Sequence, residues 1–419
     1  MHDTIVTAPG SLGDVNPLLG IARSLQALGR NVLFTTAEPY LHLAERAGLQ
    51  VHPLTSTETF SRMVNNPKLW HPRHGLRVLL DEAVGESLDK HYTWLERQAV
   101  PGKTLLVSHA LDFTSRIYRD RYPETKLATV VLQPSVLRSL IRPPRVSSIG
   151  WERKVPKVLW RLSYWLGDRW IDSLAGGHIN RLRHKLGLAP VQRVIKDWWL
   201  SPDLMLAMFP DWFSIPLQEL PPQTHMVGFP LTDSADIVEP EVAAQLKQIM
   251  ANFHGRAPVL FIPGTAHHHC KSFLTDARDA CRKLDLPAIL ISTDPNQVPD
   301  ELPTGIVTAR YLPFSKLLRH CRAVVHHGGV GTTSQCFAAG VQQVVVPMAF
   351  DQFDNAERVK QLGCGSWLAM RRVTAAKLIE HLQGLRPNSD ATAQVAQRLA
   401  GPRDSSHRAA TKILSLVGD

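Results

Sequence analysis

The sequence predicts an α/β protein with two domains, each built around a doubly wound parallel sheet. Three observations indicate this class. The chain has 419 residues, whereas an ordinary single domain has about 150. Short apolar strands alternate with helical segments, as in sheets that carry helices on both faces. The alternation begins with the first residues and starts again near residue 258, beyond a segment that contains several prolines and aspartates.

The opening of the chain is predicted to be a βαβ unit. Residues 5–8 form a short apolar run, and a turn with two glycines follows at 9–14. Apolar side chains then recur at helical spacing as far as Gly29, a residue suited to end a helix, and 31–36 is the next strand. Two further strands are predicted in this half, at 105–108 and 128–132. This pattern favours a parallel sheet.

The second half of the chain repeats the pattern. Five apolar strands are predicted there, at 258–262, 288–291, 305–308, 323–326 and 343–346. We therefore expect an N-terminal domain at 1–220, a linker at 221–240 and a C-terminal domain at 241–400.

The composition favours a well-packed protein with an anionic partner. Hydrophobic residues make up 44% of the chain and charged residues 20%, which allows a large core and excludes general disorder. The 47 basic residues outnumber the 37 acidic ones, and the net charge is +10. Such a charge suits nucleic acid, phosphate or an acidic membrane. The five cysteines lie in the second half without metal-site spacing, as expected for reduced thiols.

The chain is expected to be cytoplasmic, either soluble or peripherally attached to the inner membrane. Its first residues lack the basic and apolar regions of a signal peptide. No apolar run approaches the roughly 20 residues of a transmembrane helix.

One segment, 151–212, interrupts the alternation with a high content of tryptophan and basic residues. It holds seven of the ten tryptophans. Between 151 and 185 there are eight basic residues and three acidic ones. Two interpretations compete. A helical insertion could pack its aromatic side chains on the first domain, since apolar stripes usually face a core. Alternatively, the segment could present a surface to anionic lipid or to an amphiphilic acceptor, because tryptophan and basic residues together suit a membrane interface.

The strongest chemical signal is the strand that runs into glycines and hydroxyls at 324–333. Gly328 and Gly329 allow a ligand to approach the backbone, and the following helix N-terminus offers unpaired N–H groups to an anion. His327, Thr332 and Thr333 can add hydrogen bonds to a diphosphate, and the preceding His326 would either support His327 or serve as a second phosphate ligand. The next strand leads to a polar cluster at 351–355. Phosphate donors and partners for sugar hydroxyls are therefore expected at one edge of the sheet.

These segments resemble the nucleotide-sugar glycosyltransferases of the GT-B fold. The match runs through 327–333, 339–341 and 351–352. Within that family, the chain is similar to the rhamnosyltransferases of rhamnolipid synthesis. That likeness is carried by both halves, at 10–14, 67–70, 133–135, 351–358 and 362–365.

The resemblance implies two Rossmann-like domains facing a central cleft, with a final helix at 401–419 that crosses back to the first domain. His327 would contact the donor diphosphate together with Thr332 and Thr333, and Gly264 and Thr265 would contact its other side. Tyr311 would stack on the nucleobase. Gln335 occupies the ribose position, where many relatives have glutamate, and Asp351 and Gln352 would bind the sugar hydroxyls.

Asp14, which follows the first strand, is the candidate general base. It would take the proton of an acceptor hydroxyl that attacks the anomeric carbon with inversion, and His109 and Asp112 would assist it. The leaving diphosphate would be stabilised by the helix terminus and His327, so that no metal ion is required. In the structural alternative, Asp14 only caps the helix that follows.

The resemblance favours dTDP-L-rhamnose as donor, with UDP-glucose as the alternative, and no cofactor. The acceptor would be a hydroxylated lipid such as a 3-(3-hydroxyalkanoyloxy)alkanoic acid, and the protein is expected to be a monomer that does not bind nucleic acid. A dinucleotide dehydrogenase is disfavoured because the first turn lacks the third glycine of its fingerprint. A sugar-nucleotide epimerase stays open. The histidines at 267–269 lack a ligand set for a metal.

Overall fold

In the computed structural model the chain forms two parallel-sheet α/β units. The structure describes residues 2–70, 74–148, 155–231, 240–264, 270–387, 389–401 and 404–418. Unit 1 comprises Met1–Pro144, Ile149–Pro230 and Asp404–Asp419, and unit 2 comprises Arg145–Ser148 and Leu231–Arg403. Every pair of neighbouring strands in both sheets is parallel. The predicted fold class is therefore confirmed.

The sheet of unit 1 has the strand order β3-β2-β1-β4-β5-β6-β7. Its strands are β1 Thr4–Ala8, β2 Val32–Ala37, β3 Gln50–Thr55, β4 Leu105–His109, β5 Leu127–Val131, β6 Leu204–Ala207 and β7 Thr224–Met226. The helices of this part of the chain are α1 Leu12–Ala27, α2 Leu41–Arg46, α3 Thr57–Val64, α4 Gly75–Val84, α5 Glu86–Gln98, α6 Phe113–Arg121, α7 Lys157–Ile171 and α8 Gly177–Lys185.

The central strands of this sheet are apolar because helices cover them. All residues of β1, β4, β5 and β6 are buried, as expected for a parallel sheet. Ile5, Leu106 and Leu127 share a core cluster with Phe113 and Ile117 of α6. The packing of this core fixes the carboxyl ends of β1 and β4; Asp14 follows β1, and His109 is the last residue of β4.

The sheet of unit 2 has the strand order β10-β9-β8-β11-β12-β13. Its strands are β8 Val259–Ile262, β9 Ala288–Ile291, β10 Ile306–Ala309, β11 Ala323–His326, β12 Gln343–Val345 and β13 Gly365–Trp367. The remaining helices are α9 Pro240–Ala251, α10 Lys271–Leu284, α11 Phe314–Leu317, α12 Val330–Ala339, α13 Gln352–Gln361, α14 Ala375–Gly384, α15 Asp390–Arg398 and α16 Ser405–Leu414. Five of the six strands lie where the sequence predicts them.

The division between the units differs in detail from the expected boundaries. β7 is part of the first sheet, although it lies inside the segment 221–240 that the sequence predicts as a linker. α16 packs against α1, and the Arg408 guanidinium donates to the carbonyl of Val227 over 2.6 Å. The end of the chain thus belongs to unit 1.

The tryptophan-rich segment contains both buried and exposed tryptophans. Trp198 is buried and stacks on Phe113 with ring centroids 6.3 Å apart, and its indole N–H donates to Asp120 over 2.6 Å. Trp165 and Trp170 of α7 are exposed instead. Trp151 lies outside the described residues. Among the helices that the structure describes, none is long and apolar enough to cross a membrane.

Candidate active site

The turn after β1 holds the Asp14 carboxylate against the backbone. Asp14 Oδ2 accepts hydrogen bonds from the Ser11 backbone N–H over 2.9 Å and from the Ser11 hydroxyl over 3.2 Å. Gly10 has φ +107°, and a Cβ there would lie 2.4 Å from Asp14 Oδ2. The turn therefore requires glycine at this position.

The alternative in which Asp14 caps the following helix needs a correction: the N-cap of α1 is Ser11, and Asp14 lies inside the helix, where one of its two oxygens accepts from the N-cap residue. Asp14 is the third residue of α1 and forms a capping box with Ser11. The other oxygen, Oδ1, lies 3.6 Å from His109 Nε2. The side chain is 24% exposed, so a substrate hydroxyl can reach it. Capping and base catalysis are thus compatible, because they use different oxygens.

His109 ends β4 and is buried. The backbone N–H of Leu111 donates to His109 Nδ1 over 3.3 Å, which leaves the ring hydrogen of the neutral form on Nε2. Burial lowers the pKa of His109, and the charges of Asp14 and Asp112 offset part of this decrease. A neutral imidazole therefore directs its N–H toward Asp14 Oδ1.

Asp112 has a defined structural role. Its Oδ1 accepts from the backbone N–H groups of Thr114 and Ser115 over 2.9 and 3.3 Å, so it is the N-cap of α6. Burial raises the pKa of Asp112. Its Oδ2 is buried and has no hydrogen-bond partner among the described residues. The negative charge of Asp112 raises the pKa of His109, and its hydrogen bonds are made to the start of α6 rather than to Asp14.

Tyr40 is a neighbour of Asp14 that the sequence analysis missed. Burial raises the pKa of Tyr40 to about 12, and the negative charge of Asp14 contributes to this increase. Tyr40 follows β2, whose carboxyl end lies beside that of β1 in the sheet. The available signal was therefore its place at a strand end.

In unit 2, the His327 imidazole is enclosed by two glycines. A Cβ on Gly264 would lie 2.5 Å from His327 Nδ1, and a Cβ on Gly329 would lie 2.6 Å from His327 Nε2. Gly264 also has φ +79°, a conformation that favours glycine. The His327 backbone N–H donates to the carbonyl of Ile262 over 3.2 Å, which joins the loop to the end of β8.

His327 is held as a neutral ring with an unused polar atom. Burial lowers the pKa of His327 to about 4, so the imidazole is uncharged near neutral pH. Its Nδ1 is buried without a hydrogen-bond partner in the described part of the chain. A buried polar atom without a partner is costly, and a ligand that supplies one is favoured at this position.

His326 supports this loop, as expected from the sequence. Its Nε2 pairs with Gln343 Oε1 over 2.9 Å, and its Nδ1 accepts from the Gly328 backbone N–H over 3.2 Å. Burial lowers the pKa of His326 to about 3. The neutral ring, at the end of β11, therefore links Gln343 of β12 to the glycine turn.

The N-terminus of α12 places its two threonines differently. Gly329 is the N-cap, and the first N–H groups of a helix lack an intrahelical acceptor. Thr332 is partly exposed. Thr333 is buried, and its hydroxyl donates to the carbonyl of Gly329 over 3.0 Å. In this arrangement the Thr333 hydroxyl stabilises the helix turn, which the sequence did not indicate.

The polar cluster after β12 is connected to the glycine turn. The Asn355 side-chain amide donates to the carbonyl of Gly328 over 2.9 Å and to Asp351 Oδ2 over 2.7 Å. Gln352 Oε1 accepts from the backbone N–H groups of Met348 and Ala349 over 2.8 and 3.2 Å. Asn355 thus orients Asp351 relative to the glycine turn at Gly328, a contact that the sequence did not indicate.

Three further predicted positions have different outcomes. Tyr311 follows β10 and is 43% exposed, so its ring is accessible. Gln335 lies on α12, and its buried Oε1 has no hydrogen-bond partner among the residues described. Thr265 lies outside the described residues, as do the histidines at 267–269. Within the described ranges, no group of three or more His, Cys, Asp or Glu side chains could hold a metal ion.

Known proteins are similar to this chain in sequence and in fold. Residues 279–410 match the family described as erythromycin biosynthesis protein CIII-like, C-terminal domain. The chain is 25% identical over 391 residues to 4′-demethylrebeccamycin synthase of Lentzea aerocolonigenes, covering 88% of each chain. It is 27% identical over 367 residues to O-mycaminosyltylonolide 6-deoxyallosyltransferase of Streptomyces fradiae, covering 84% of this chain and 82% of that one.

A solved structure extends the likeness to the fold. The spinosyn rhamnosyltransferase SpnG, complexed with thymidine diphosphate, superposes with a TM-score of 0.67 over 98% of this chain and 100% of that chain, at 16% identity. Two parallel-sheet α/β units and a sequence likeness along most of the chain therefore lead to one assignment. The chain has the GT-B fold and is a glycosyltransferase, an enzyme that transfers a hexosyl group from a nucleotide sugar.

Proposed function

We propose that this glycosyltransferase moves L-rhamnose from dTDP-L-rhamnose to the hydroxyl of a lipid acceptor, with inversion at the anomeric carbon. The acceptor class is a hydroxylated fatty acid derivative such as a 3-(3-hydroxyalkanoyloxy)alkanoic acid, and the product is a rhamnolipid-type glycolipid. The observation that carries the proposal is the His327 ring, held neutral between Gly264 and Gly329 at the N-terminus of α12.

This geometry suits a nucleoside diphosphate. Phosphate oxygens would meet the free N–H groups at the start of α12, where the helix dipole is positive. One of these oxygens would also satisfy His327, whose Nδ1 otherwise has no partner in the described structure. The partly exposed Thr332 can donate a further hydrogen bond. Gly264 leaves room for the phosphates on the other side of the ring.

The sugar and nucleoside would be bound by groups around this loop. Asp351, oriented by Asn355, would accept hydrogen bonds from sugar hydroxyls, and the Gln352 amide would donate to them. Tyr311 offers an accessible ring to the base, and Gln335 offers an unpaired amide oxygen to the ribose. The sequence likeness to rhamnolipid rhamnosyltransferases supports rhamnose. Two of the similar proteins are named for the transfer of a 6-deoxyhexose, one of 6-deoxyallose and one of rhamnose.

The transfer step requires one proton acceptor and one leaving group. Asp14 Oδ1 would take the proton of the acceptor hydroxyl while that oxygen forms a bond to the anomeric carbon. The bond from this carbon to the diphosphate breaks, and its electron pair leaves with the dTDP. The α12 N-terminus and the His327 N–H would stabilise the added negative charge. His109 would hold the carboxylate in position throughout the step.

UDP-glucose is the second candidate donor. An acidic residue followed by glutamine suits the hydroxyls of several hexoses, and glucose has one more hydroxyl than rhamnose for the Asp351–Gln352 pair to bind. The acceptor in that case would be a hydroxy fatty acid or another small hydrophobic molecule.

The test is a matrix of donors and acceptors with products identified by mass. The purified chain is incubated with dTDP-L-rhamnose, UDP-glucose or dTDP-glucose, each with and without a hydroxyacyloxy fatty acid, and the anomeric configuration is read by NMR. We expect an acceptor-dependent rhamnoside with inverted configuration. Transfer from UDP-glucose alone would replace the proposed donor by the alternative, and a retained configuration would exclude the role of Asp14. Conversion of the donor into a different nucleotide sugar without an acceptor would indicate an epimerase.

A further inference from the structure

Helix α7 presents an apolar surface to solvent. Six of its large apolar side chains are exposed, with exposed fractions between 43% and 66%. On a helix with 3.6 residues per turn they occupy an arc of about 140°. We call this surface the outward face of α7; it consists of Val158, Leu159, Leu162, Trp165, Leu166 and Trp170. Contiguous exposed apolar patches of this kind mark interaction sites.

The opposite side of α7 is attached to unit 1 by polar contacts. Asp168 is the buried residue of the helix, and it forms an ion pair with Arg138. The Tyr164 hydroxyl donates to the carbonyl of Ser139 over 2.9 Å, and the Arg138 guanidinium lies 5.2 Å from the centre of the Tyr164 ring. The buried residue of α7 is thus polar, whereas six of its large apolar side chains face water, which differs from the usual arrangement of a surface helix.

The exposed charged residues of α7 are all basic. Lys157, Arg161 and Arg169 are exposed, whereas the one acidic residue of the helix, Asp168, is buried in its ion pair. Arg169 lies within the apolar arc, Arg161 lies about 40° outside its edge, and Lys157 lies further round the helix, on the side of Asp168 and Tyr164. Tryptophan, leucine and basic side chains on one helical face are characteristic of helices that lie in a membrane interface.

We propose that the outward face of α7 binds the surface of an anionic lipid membrane, with the helix axis parallel to that surface. The helix of 15 residues is about 22 Å long, which suits a helix lying in the interface. Charge selects lipid over a second copy of this chain: two such faces would bring four arginines together, Arg161 and Arg169 of each copy, without an exposed acid on either helix. Anionic headgroups supply the opposite charge. This inference does not depend on the identity of the donor or the acceptor.

The test is flotation of the full chain with two kinds of vesicle, phosphatidylcholine alone and an equal mixture of phosphatidylcholine and phosphatidylglycerol. We expect binding to the mixture and little binding to phosphatidylcholine. The double variant Arg161→Gln/Arg169→Gln should reduce the partition coefficient by about fivefold for each arginine. The double variant Trp165→Ser/Leu166→Ser should reduce it by roughly tenfold or more, since it removes the apolar contact.

Matched controls separate this surface from general charge and hydrophobicity. Leu217→Ser removes an equally exposed leucine (55%), and Lys103→Gln/Lys247→Gln removes two exposed positive charges elsewhere; both should bind like the unmodified chain. Thermal unfolding checks that every variant is folded. The proposal is overturned if the chain ignores both kinds of vesicle, or if the α7 variants bind as well as the controls. A dimer that dissociates in the Trp165→Ser/Leu166→Ser variant, without vesicle binding, would assign the surface to self-association instead.

Discussion

His109 Nε2 lies 3.6 Å from Asp14 Oδ1. The two residues reach this distance because β1 and β4 are neighbours in the sheet and their parallel register aligns their carboxyl ends. The Leu111 N–H fixes the tautomer of the imidazole, and Ser11 holds the other carboxylate oxygen. The carboxylate is thus restrained from two sides while Oδ1 keeps a free lone pair. This is a suitable arrangement for a base that must meet one hydroxyl in one orientation.

Asp14→Asn should abolish transfer while donor binding remains. The amide keeps an oxygen that can accept from Ser11, so the start of α1 stays intact, but it cannot take a proton. We expect kcat to fall by about 10²- to 10⁴-fold, the usual contribution of a general base, and the Kd for thymidine diphosphate to change little. Steady-state kinetics and calorimetry measure the two quantities. Near-normal turnover by this variant would remove Asp14 from the proposed role.

His109 should act by positioning Asp14, which a pair of substitutions can test. Glutamine can place an amide N–H near the position of Nε2, whereas leucine fills similar space without a donor. We expect His109→Leu to lower kcat by about tenfold with an unchanged donor KM, because the carboxylate loses the ring N–H that lies 3.6 Å from Oδ1 and is then less well oriented toward the acceptor hydroxyl. His109→Gln should restore most of the activity. Equal losses in both variants at equal melting temperature would mean that His109 serves only the packing of β4.

Gly264→Ala should weaken donor binding by displacing the His327 ring. The new Cβ would lie 2.5 Å from His327 Nδ1, so the imidazole must move. Gly255→Ala is a matched control, since Gly255 has φ +81° and a Cβ there meets nothing within 4 Å. Both variants carry a backbone strain of about 1 to 2 kcal/mol. We expect the Kd for thymidine diphosphate to rise by about tenfold or more in Gly264→Ala and to stay unchanged in Gly255→Ala; equal affinities would contradict the proposed contact.

The strands that the sequence predicts are the ones with a strong local signal. β8, β9 and β11 are short apolar runs between prolines, glycines and charged residues, and their positions agree with the structure to within a residue. β3 was missed because Pro53 and several polar residues interrupt its pattern. It tolerates them because it is an edge strand of the sheet. β13 has three residues, Gly365–Trp367, too few for any periodicity.

The positions of His327 and Asp351 were predictable because each residue follows a strand. The site was not predictable where contacts link distant segments. Asn355 orients Asp351 and the Gly328 carbonyl only because α13 packs beside the glycine turn. The outward face of α7 was ambiguous for the same reason, since its orientation is decided by Arg138, 30 residues from its partner Asp168. Helical periodicity reports an apolar face, but it does not report what that face contacts.

The buried histidines His326 and His327 should make the protein less stable in weak acid. Burial lowers the pKa of His327 from 6.5 to about 4, so between these values the unfolded chain binds a proton that the folded chain does not. The free energy of unfolding must then decrease as the pH falls, by about 1.4 kcal/mol per pH unit for each such group. His326, with a pKa of about 3, adds to the same effect and extends it to lower pH.

His327→Ala should therefore reduce the dependence of stability on pH. Urea unfolding at pH 6 and pH 5 gives the slope of the unfolding free energy against pH. We expect this slope to be smaller by about 1.4 kcal/mol per pH unit than in the unmodified chain, because His327 no longer adds one proton to the difference between the unfolded and the folded state. Thr332→Ala changes the same loop without removing a titrating group and should leave the slope unaltered. Since a bound diphosphate would favour the protonated ring, thymidine diphosphate should also reduce the slope in the unmodified chain but not in His327→Ala. An identical slope with and without His327 would show that this imidazole is not held neutral at the start of α12.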